Sequence, residues 1–297
     1  MVLQLKKVSK YISRAIKSKS GYKFPNYNLT GQSSFYFALL CGVRGAGKSN
    51  SLLQILDFEK EHLLKDESIV YFISPTRDAK VQDFIDHNED NMRYYDELNI
   101  KTFNEVLDDI DARIREWKEK KYIFDLFEKY LKEGDGGLQA EELNILVESG
   151  ILDDDTDVKE LIKDFNFHHP PRSSICIDDS LGSPIISSSN SKQGKEAIKF
   201  FIRHRHSYCN VFILSQHFRG ISKPIRSNTN MVLLWPSKDR SVLKSIFEEF
   251  SPLFKGKIEN YEESLDLLDS QAHSFLMMFY DEVKFLRFGF DQEITFD

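Results

Sequence analysis

Cysteine, proline and tryptophan are scarce in this sequence, with three, eight and two residues among 297. Cys41, Cys176 and Cys209 are scattered, and two of them fall inside apolar, strand-like runs where small buried thiols are common. Neither a disulfide framework nor a cysteine-bound metal is expected, and the compartment reads as reducing. A chain of this length buries a core that holds without staples, as one large α/β domain with an insertion or as two ordinary domains. No apolar run is long enough to span a bilayer, and the N-terminus lacks the apolar core and small-residue cleavage site of a secretory signal. The sequence therefore reads as soluble and intracellular. Basic residues are outnumbered, 40 against 47 acidic ones, for a net charge of −7. A globally basic surface is excluded, so any contact with nucleic acid has to be local.

Residues 1–30 contain no acid and carry Lys6, Lys7, Lys10, Arg14, Lys17, Lys19 and Lys23, a basic N-terminal arm. Within it Val2, Leu5, Val8, Ile12 and Ile16 recur at three- and four-residue spacing, which predicts one apolar helix face flanked by lysines. Such a helix can pack on its own domain, meet DNA phosphates, lie on an anionic membrane or dock a neighbouring subunit. A mitochondrial presequence shares these features, but leans on arginine where this arm uses lysine. Residues 31–297 read as one domain.

Phe35, Phe37, Leu39 and Leu40 predict a buried strand. Gly42-Val43-Arg44-Gly45-Ala46-Gly47-Lys48-Ser49 follows, then Asn50 and a helix-like run from Ser51 to Leu56. Strand, glycine loop and helix in this order are the setting of a nucleotide phosphate-binding loop. Glycines at 42, 45 and 47 let the backbone curl until several N–H groups face one anion, at the positive end of the helix. Lys48 would meet the β and γ phosphates and Ser49 a Mg2+ ion. Residues 42–50 are thus the expected nucleotide-binding segment, with ATP and Mg2+ as cofactors.

Hydrolysis needs a second strand that ends in carboxylates. Ser174-Ile175-Cys176-Ile177 reads as that strand, and Asp178 and Asp179 follow at its carboxyl end, where open α/β sheets place their ligands. Asp178 would bind Mg2+, directly or through water. Asp179 would orient or activate the attacking water, a task often given to the longer glutamate. An Asp pair at a strand end is also a common turn or helix cap. A third apolar run, Asn210 to Ser215, ends in Gln216, placed to sense the γ-phosphate from a neighbouring strand.

This order of strand, glycine loop, acidic strand and glutamine-ended strand, with Ile202-Arg203-His204-Arg205-His206 before the last, resembles the FtsK-HerA superfamily of ring-shaped DNA-pumping ATPases. Within it, Leu214-Ser215-Gln216-His217-Phe218-Arg219-Gly220-Ile221-Ser222-Lys223-Pro224-Ile225-Arg226-Ser227-Asn228 is similar to the poxvirus-type genome-packaging ATPases of large DNA viruses and their relatives. The resemblance covers roughly residues 33 to 290 and rests on short motifs. It implies an α/β fold, a central, mostly parallel sheet flanked by helices. It also implies an ATP-driven ring homo-oligomer, pentamer or hexamer, that threads double-stranded DNA into a preformed capsid. A capsid portal or internal membrane proteins would be further partners, in the host cytoplasm (viral factory) or on the virion. Sites at subunit boundaries need a neighbour's arginine. Arg205 is the first choice, because a guanidinium can pair with two phosphate oxygens. Arg203, Arg219 and Arg226 are rivals, and a solvated helix end explains the Arg-His cluster equally well.

Residues 69–74 predict a strand that Pro75 ends, and a helical insertion is read from about 78 to 170. Inside it Glu133, Asp135, Gly136, Leu138 and Glu142 echo a calcium loop, but the leading ligand position falls on Leu131, so a linker between helices is expected. Asp153-Asp154-Asp155-Thr156-Asp157 reads as a solvated acidic turn, and His168-His169-Pro170-Pro171 as a linker without a third metal ligand. Ser183 to Ser191 reads as a surface loop, or as a mobile element facing DNA. Met231 to Trp235 predict another core strand, and residues 275–280 and 284–290 a C-terminal β hairpin. Three functions follow: a viral packaging translocase; another DNA motor of segregation, conjugation or helicase type; or a nucleotide-gated switch or small-molecule kinase.

Overall fold

The computed structural model describes residues 3–7, 12–13, 16–17, 23–24, 27–28, 35–63, 68–77, 79–152, 169–237, 239–269, 273–280, 284–290 and 292–296. They divide into two compact units, Met1–Val106 with Arg172–Asp297, and Leu107–Pro171.

The first unit is built on a ten-stranded sheet. In chain order its strands are β1 (Leu3–Lys7), β6 (Phe37–Cys41), β7 (Ile69–Ile73), β8 (Met92–Tyr95), β9 (Ser173–Asp178), β10 (Cys209–Ser215), β11 (Met231–Leu234), β12 (Leu276–Tyr280), β13 (Lys284–Phe288) and β14 (Gln292–Phe296). Four two-residue strands, β2 (Ile12–Ser13), β3 (Ile16–Lys17), β4 (Lys23–Phe24) and β5 (Tyr27–Asn28), pair among themselves. Across the sheet the order is β1-β14-β13-β12-β11-β6-β10-β9-β7-β8. The six strands from β11 to β8 run parallel. The other four extend the sheet antiparallel.

Both faces of the parallel half are covered, which is why β6 and β10 read as unbroken apolar runs and are buried throughout. Tyr36, Ala38, Leu40, Cys176, Phe212 and Leu214 turn to one face. There they pack with Leu52, Ile55 and Leu56 of helix Lys48–Leu63 and Val81 of helix Ala79–Asp86. On the other face the Phe37 ring lies 5.2 Å from Phe201 of helix Lys192–Arg203, and Phe103 of helix Ile100–Glu133 lies 5.8 Å from Phe201. Two buried amides set the entry to β6: Asn210 Oδ1 accepts the Tyr36 N–H at 3.1 Å and Asn230 Oδ1 the Phe37 N–H at 2.9 Å.

Three local expectations differ from the structure. Leu3–Lys7 is a strand, not the start of an amphipathic helix, and pairs antiparallel with β14. Open backbone groups at the sheet edge outweigh the helical spacing, and Lys6 and Lys7 on the outermost strand discourage further pairing. Val2, Val8, Lys10, Arg14 and Lys19 lie outside the described residues. The stretch from 78 contributes the edge strand β8 as well as helices. The C-terminal hairpin continues into a third strand, β14.

In the second unit, Leu126, Leu146 and Ile151 form a small core with Ile123, Phe127, Tyr130, Leu138 and Ile145. Helix Ala140–Glu148 opens with a capping box in which the Glu142 carboxylate accepts the Gln139 N–H at 2.9 Å. That bond gives Glu142 a structural use where the sequence echoed a calcium loop. The acidic turn 153–157 and His168 lie outside the described residues. Among the described residues no three His, Cys, Asp or Glu side chains cluster as metal ligands. No helix of the described residues is long and apolar enough to cross a membrane.

Candidate nucleotide-binding site

β10 lies between β6 and β9 and is parallel to both, so the carboxyl ends of all three share one rim of the sheet. Cys41 is level with Ser215, and Leu214 with Asp178. The register therefore gathers residues 42–49, Gln216 and Asp178-Asp179, which are far apart in sequence.

The loop after β6 depends on its glycines in two ways. Gly45 and Gly47 hold φ of 78° and 109°, a region L side chains rarely adopt. Gly42 is needed for space, since a Cβ there would sit 2.7 Å from Trp235 Cβ. The Gly42 N–H donates to Ser215 O at 3.2 Å and the Ser51 N–H to Gly47 O at 2.9 Å, tying the loop to β10 and to its own helix. Because the helix starts at Lys48, the N–H groups of its first turn open toward the loop. Lys48 is 9% exposed and its Nζ donates to Gly42 O at 2.8 Å and Val43 O at 3.1 Å. Burial lowers its pKa, with the Asp178 charge acting the other way. Val43, Arg44 and Gly45 are exposed at the loop tip, with Ala46 and Gly47 half-buried. Asn50, one turn in, accepts from Lys80 Nζ at 3.4 Å.

Ser49 Oγ donates to Asp178 Oδ2 at 3.4 Å, so a hydroxyl and a carboxylate from distant segments meet beside the lysine. Burial raises the Asp178 pKa, the Lys48 charge opposes this, and the Asp179 charge adds to it. A carboxylate this poorly solvated gains from a nearby cation, and with the Ser49 hydroxyl it forms a donor set suited to Mg2+. Asp179 is exposed and holds φ 47°, in the left-handed region. Ser180 Oγ donates to Asp178 O at 2.9 Å and braces this bend. Backbone strain of this kind costs roughly 1–2 kcal/mol and gathers at functional sites. Gln216 is exposed just past β10, where Ser215 Oγ accepts the His217 N–H and donates to His217 O, both at 2.9 Å.

The arginines separate. Arg205 lies in the turn His204–Ser207 before β10, with Arg203 at the end of the preceding helix. At strand rise the length of β10 puts them about 20 Å from the rim that carries the loop. The glycine loop of their own chain is out of reach. Arg226 is anchored: its Nε donates to Glu249 Oε1 at 3.0 Å, its guanidinium donates to Ile221 O and lies 5.0 Å from the Phe218 ring centre. Arg219 is exposed in the turn Phe218–Gly220.

Three residues at the site escaped the sequence reading. Trp235 continues β11, its N–H donates to Cys41 O at 2.9 Å, and its buried Nε1 has no partner among the described residues. That nitrogen is 3.6 Å from where a Gly47 Cβ would be. His273 Nδ1 lies 3.3 Å from Ala46 O, which makes it the donor. Phe275 backs the Trp235 ring at 5.0 Å. Lys80 is the third. In the sequence Trp235 shows only as the end of an apolar run, and neither His273 nor Lys80 carries a signal.

No protein-family model and no curated protein matches this chain. Among solved structures it is similar to the genome packaging NTPase B204 from Sulfolobus turreted icosahedral virus 2 in complex with AMP, with 11% identity, 86% of this chain and 98% of that one covered, and a TM-score of 0.47. It is similar to B204, the DNA-packaging ATPase from Sulfolobus turreted icosahedral virus, with 12% identity, 86% and 96% covered, and a TM-score of 0.46. It is also similar to EssC (ATPases 2 and 3) from Geobacillus thermodenitrificans, with 10% identity, 96% and 44% covered, and a TM-score of 0.45.

Proposed function

We propose that the protein is an ATPase that moves along double-stranded DNA and packages a viral genome into a preformed capsid. The observation that carries the nucleotide half is the contact of Ser49 Oγ with Asp178 Oδ2 at 3.4 Å, beside buried Lys48 and at the mouth of the glycine loop. The run from Leu214 to Asn228, with its resemblance to packaging ATPases, supports the DNA half.

In this reading the N–H groups of residues 42–50 and the Lys48 ammonium hold the ATP phosphates. Ser49 and Asp178 hold Mg2+, which when bound neutralises charge on the phosphate oxygens. Asp179, exposed beside them, orients the attacking water and accepts its proton. Gln216, just past the strand between the loop strand and the acidic strand, contacts the γ-phosphate end of the site. The chains assemble as a ring, pentamer or hexamer, in which Arg205, on the opposite rim, acts on a neighbouring subunit's nucleotide; its distance from the loop of its own chain supports this reading. Portal or internal membrane proteins would complete the assembly, in the host cytoplasm or on the virion.

The test is steady-state ATP hydrolysis by wild type and Lys48→Ala, with and without long double-stranded DNA. Hydrolysis stimulated by DNA in wild type and absent from the variant is expected. Full activity in Lys48→Ala would overturn the loop assignment, and hydrolysis indifferent to DNA would overturn the motor half and favour a nucleotide switch.

A further inference from the structure

The chain is acidic overall, yet helix Lys192–Arg203 turns a basic face outward. Gly194, Ala197 and Phe201 are buried, while Lys192, Lys195, Lys199 and Arg203 are exposed. At 100° per residue those four fall within an arc of about 80°, opposite the buried three. His206, exposed in the next turn, extends the row. Glu196 is half-buried at its margin and Ile202 is an exposed apolar side chain beside it. None of the four basic residues makes an ion pair among the described residues.

The helix is held firmly. Ser191 Oγ accepts the Gly194 N–H at 2.9 Å, and Ser188 O lies 1.7 Å from where a Gly194 Cβ would be, so the loop crosses directly on the first turn. Farther along, Phe201 packs on Phe37 and Phe103. The loop that leads in is the serine-rich stretch, and its serines act as caps: Ser183 caps the turn Pro184–Ser187 and Ser191 caps the helix. This stretch begins just after Asp179, and the Ser222 N–H donates to Ile186 O at 2.8 Å, tying it also to the segment after Gln216.

We propose that this helix face is the surface on which the chain bears on the sugar-phosphate backbone of double-stranded DNA, an inference that rests on the motor reading above. From Lys192 to Arg203 the helix rises about 17 Å, which spans about five phosphates of one strand. Contacts to phosphate position a protein without reading sequence, as movement along any DNA requires. An anionic membrane fits less well. A helix lying on lipid inserts a broad apolar face, and here that face is taken up by the sheet.

The test is fluorescence anisotropy of a labelled 30-base-pair duplex with the full chain, titrated between 50 and 200 mM salt. Each phosphate contact contributes about 0.9 to the slope of log affinity against log salt, or about fivefold in affinity near 0.15 M salt. Lys192→Gln/Lys195→Gln/Lys199→Gln should lower the slope by about 3 and the affinity by about a hundredfold. The charge-keeping Lys192→Arg/Lys195→Arg/Lys199→Arg should bind as wild type does, as should Lys118→Gln/Lys120→Gln/Lys132→Gln on the second unit. If wild type binds duplex and the first variant binds equally well, the surface assignment falls while the motor reading stands. Equal loss in the arginine variant would make the effect structural and also overturn it. Absence of duplex binding by wild type at 50 mM salt would remove the DNA reading and this proposal together. Flotation with phosphatidylserine vesicles in preference to duplex would replace it with a membrane contact.

Discussion

Replacing Asp179 with glycine should make the nucleotide-free protein more stable and stop hydrolysis. Asp179 holds φ 47° at the carboxyl end of β9, where a residue with a Cβ pays roughly 1–2 kcal/mol relative to glycine, the low end for Asp, whose short polar side chain tolerates this region. Glycine also widens the unfolded ensemble, which returns about 0.4–1 kcal/mol of that gain. Removing the Asp179 charge relieves its repulsion of the half-buried Asp178, adding a few tenths. The net gain is about 0.5–1 kcal/mol, a rise in Tm of about 1–3 °C for a chain of this size. Denaturant unfolding without nucleotide, followed by tryptophan fluorescence, measures it. Two controls separate the contributions. Asp179→Asn keeps the tolerance of the left-handed region and loses only the charge, so its gain is smaller; Asp179→Ala keeps the strain and is the least stable of the three. All three should lose hydrolysis while still binding nucleotide. A glycine variant less stable than wild type, or one that hydrolyses ATP at the wild-type rate, would refute the link between backbone strain and catalysis at this position.

Two other perturbations test Asp178 and the packing of helix Lys192–Arg203. Burial raises the Asp178 pKa in the folded state, so its contribution to stability is complete below its ordinary 3.8 and is lost as pH rises through the raised value. Asp178→Asn should flatten that pH dependence, raise Tm at neutral pH without ligand, and abolish the further rise in Tm that Mg2+ with a non-hydrolysable ATP analogue gives wild type; an unchanged response to Mg2+ would remove Asp178 from the metal site. Gly194→Ala should lower stability by about 1–3 kcal/mol through overpacking, although alanine in a helix interior is otherwise about 1 kcal/mol better than glycine. The Cβ would fall 1.7 Å from Ser188 O, and a higher Tm would show that the loop yields there.

The parts of the site legible in the sequence are those made by local chemistry. Positive φ at Gly45 and Gly47 demands glycine, and a lysine and a serine opening a helix after an apolar strand mark the loop without reference to the rest of the chain. The same holds for Asp178-Asp179 and Gln216, each placed directly after an apolar run that became β9 or β10. The arm misled because Val2, Leu5 and Val8 suit a helix face, whereas the strand Leu3–Lys7 is set by backbone pairing with Gln292–Phe296 at the other end of the chain. Arg226 has no local pattern that sets it apart from the other arginines, and its bond to Glu249, 23 residues on, is visible only in the structure. The row Lys192, Lys195, Lys199 and Arg203 was present in the sequence, but it became a face only once Gly194, Ala197 and Phe201 were seen to be the buried side.

The sequence by itself determined the α/β class, the glycine loop between a strand and a helix, and which strands carry polar residues at their carboxyl ends, because glycine conformation, apolar runs and helix starts are written over a few consecutive residues. Only the tertiary structure decided that β10 separates the loop strand from the acidic strand, that Trp235 and His273 wall the loop, and that Arg203 and Arg205 lie on the opposite rim. Those facts depend on which strand edges pair and which faces pack, and such contacts join residues whose separation along the chain leaves no local pattern to read.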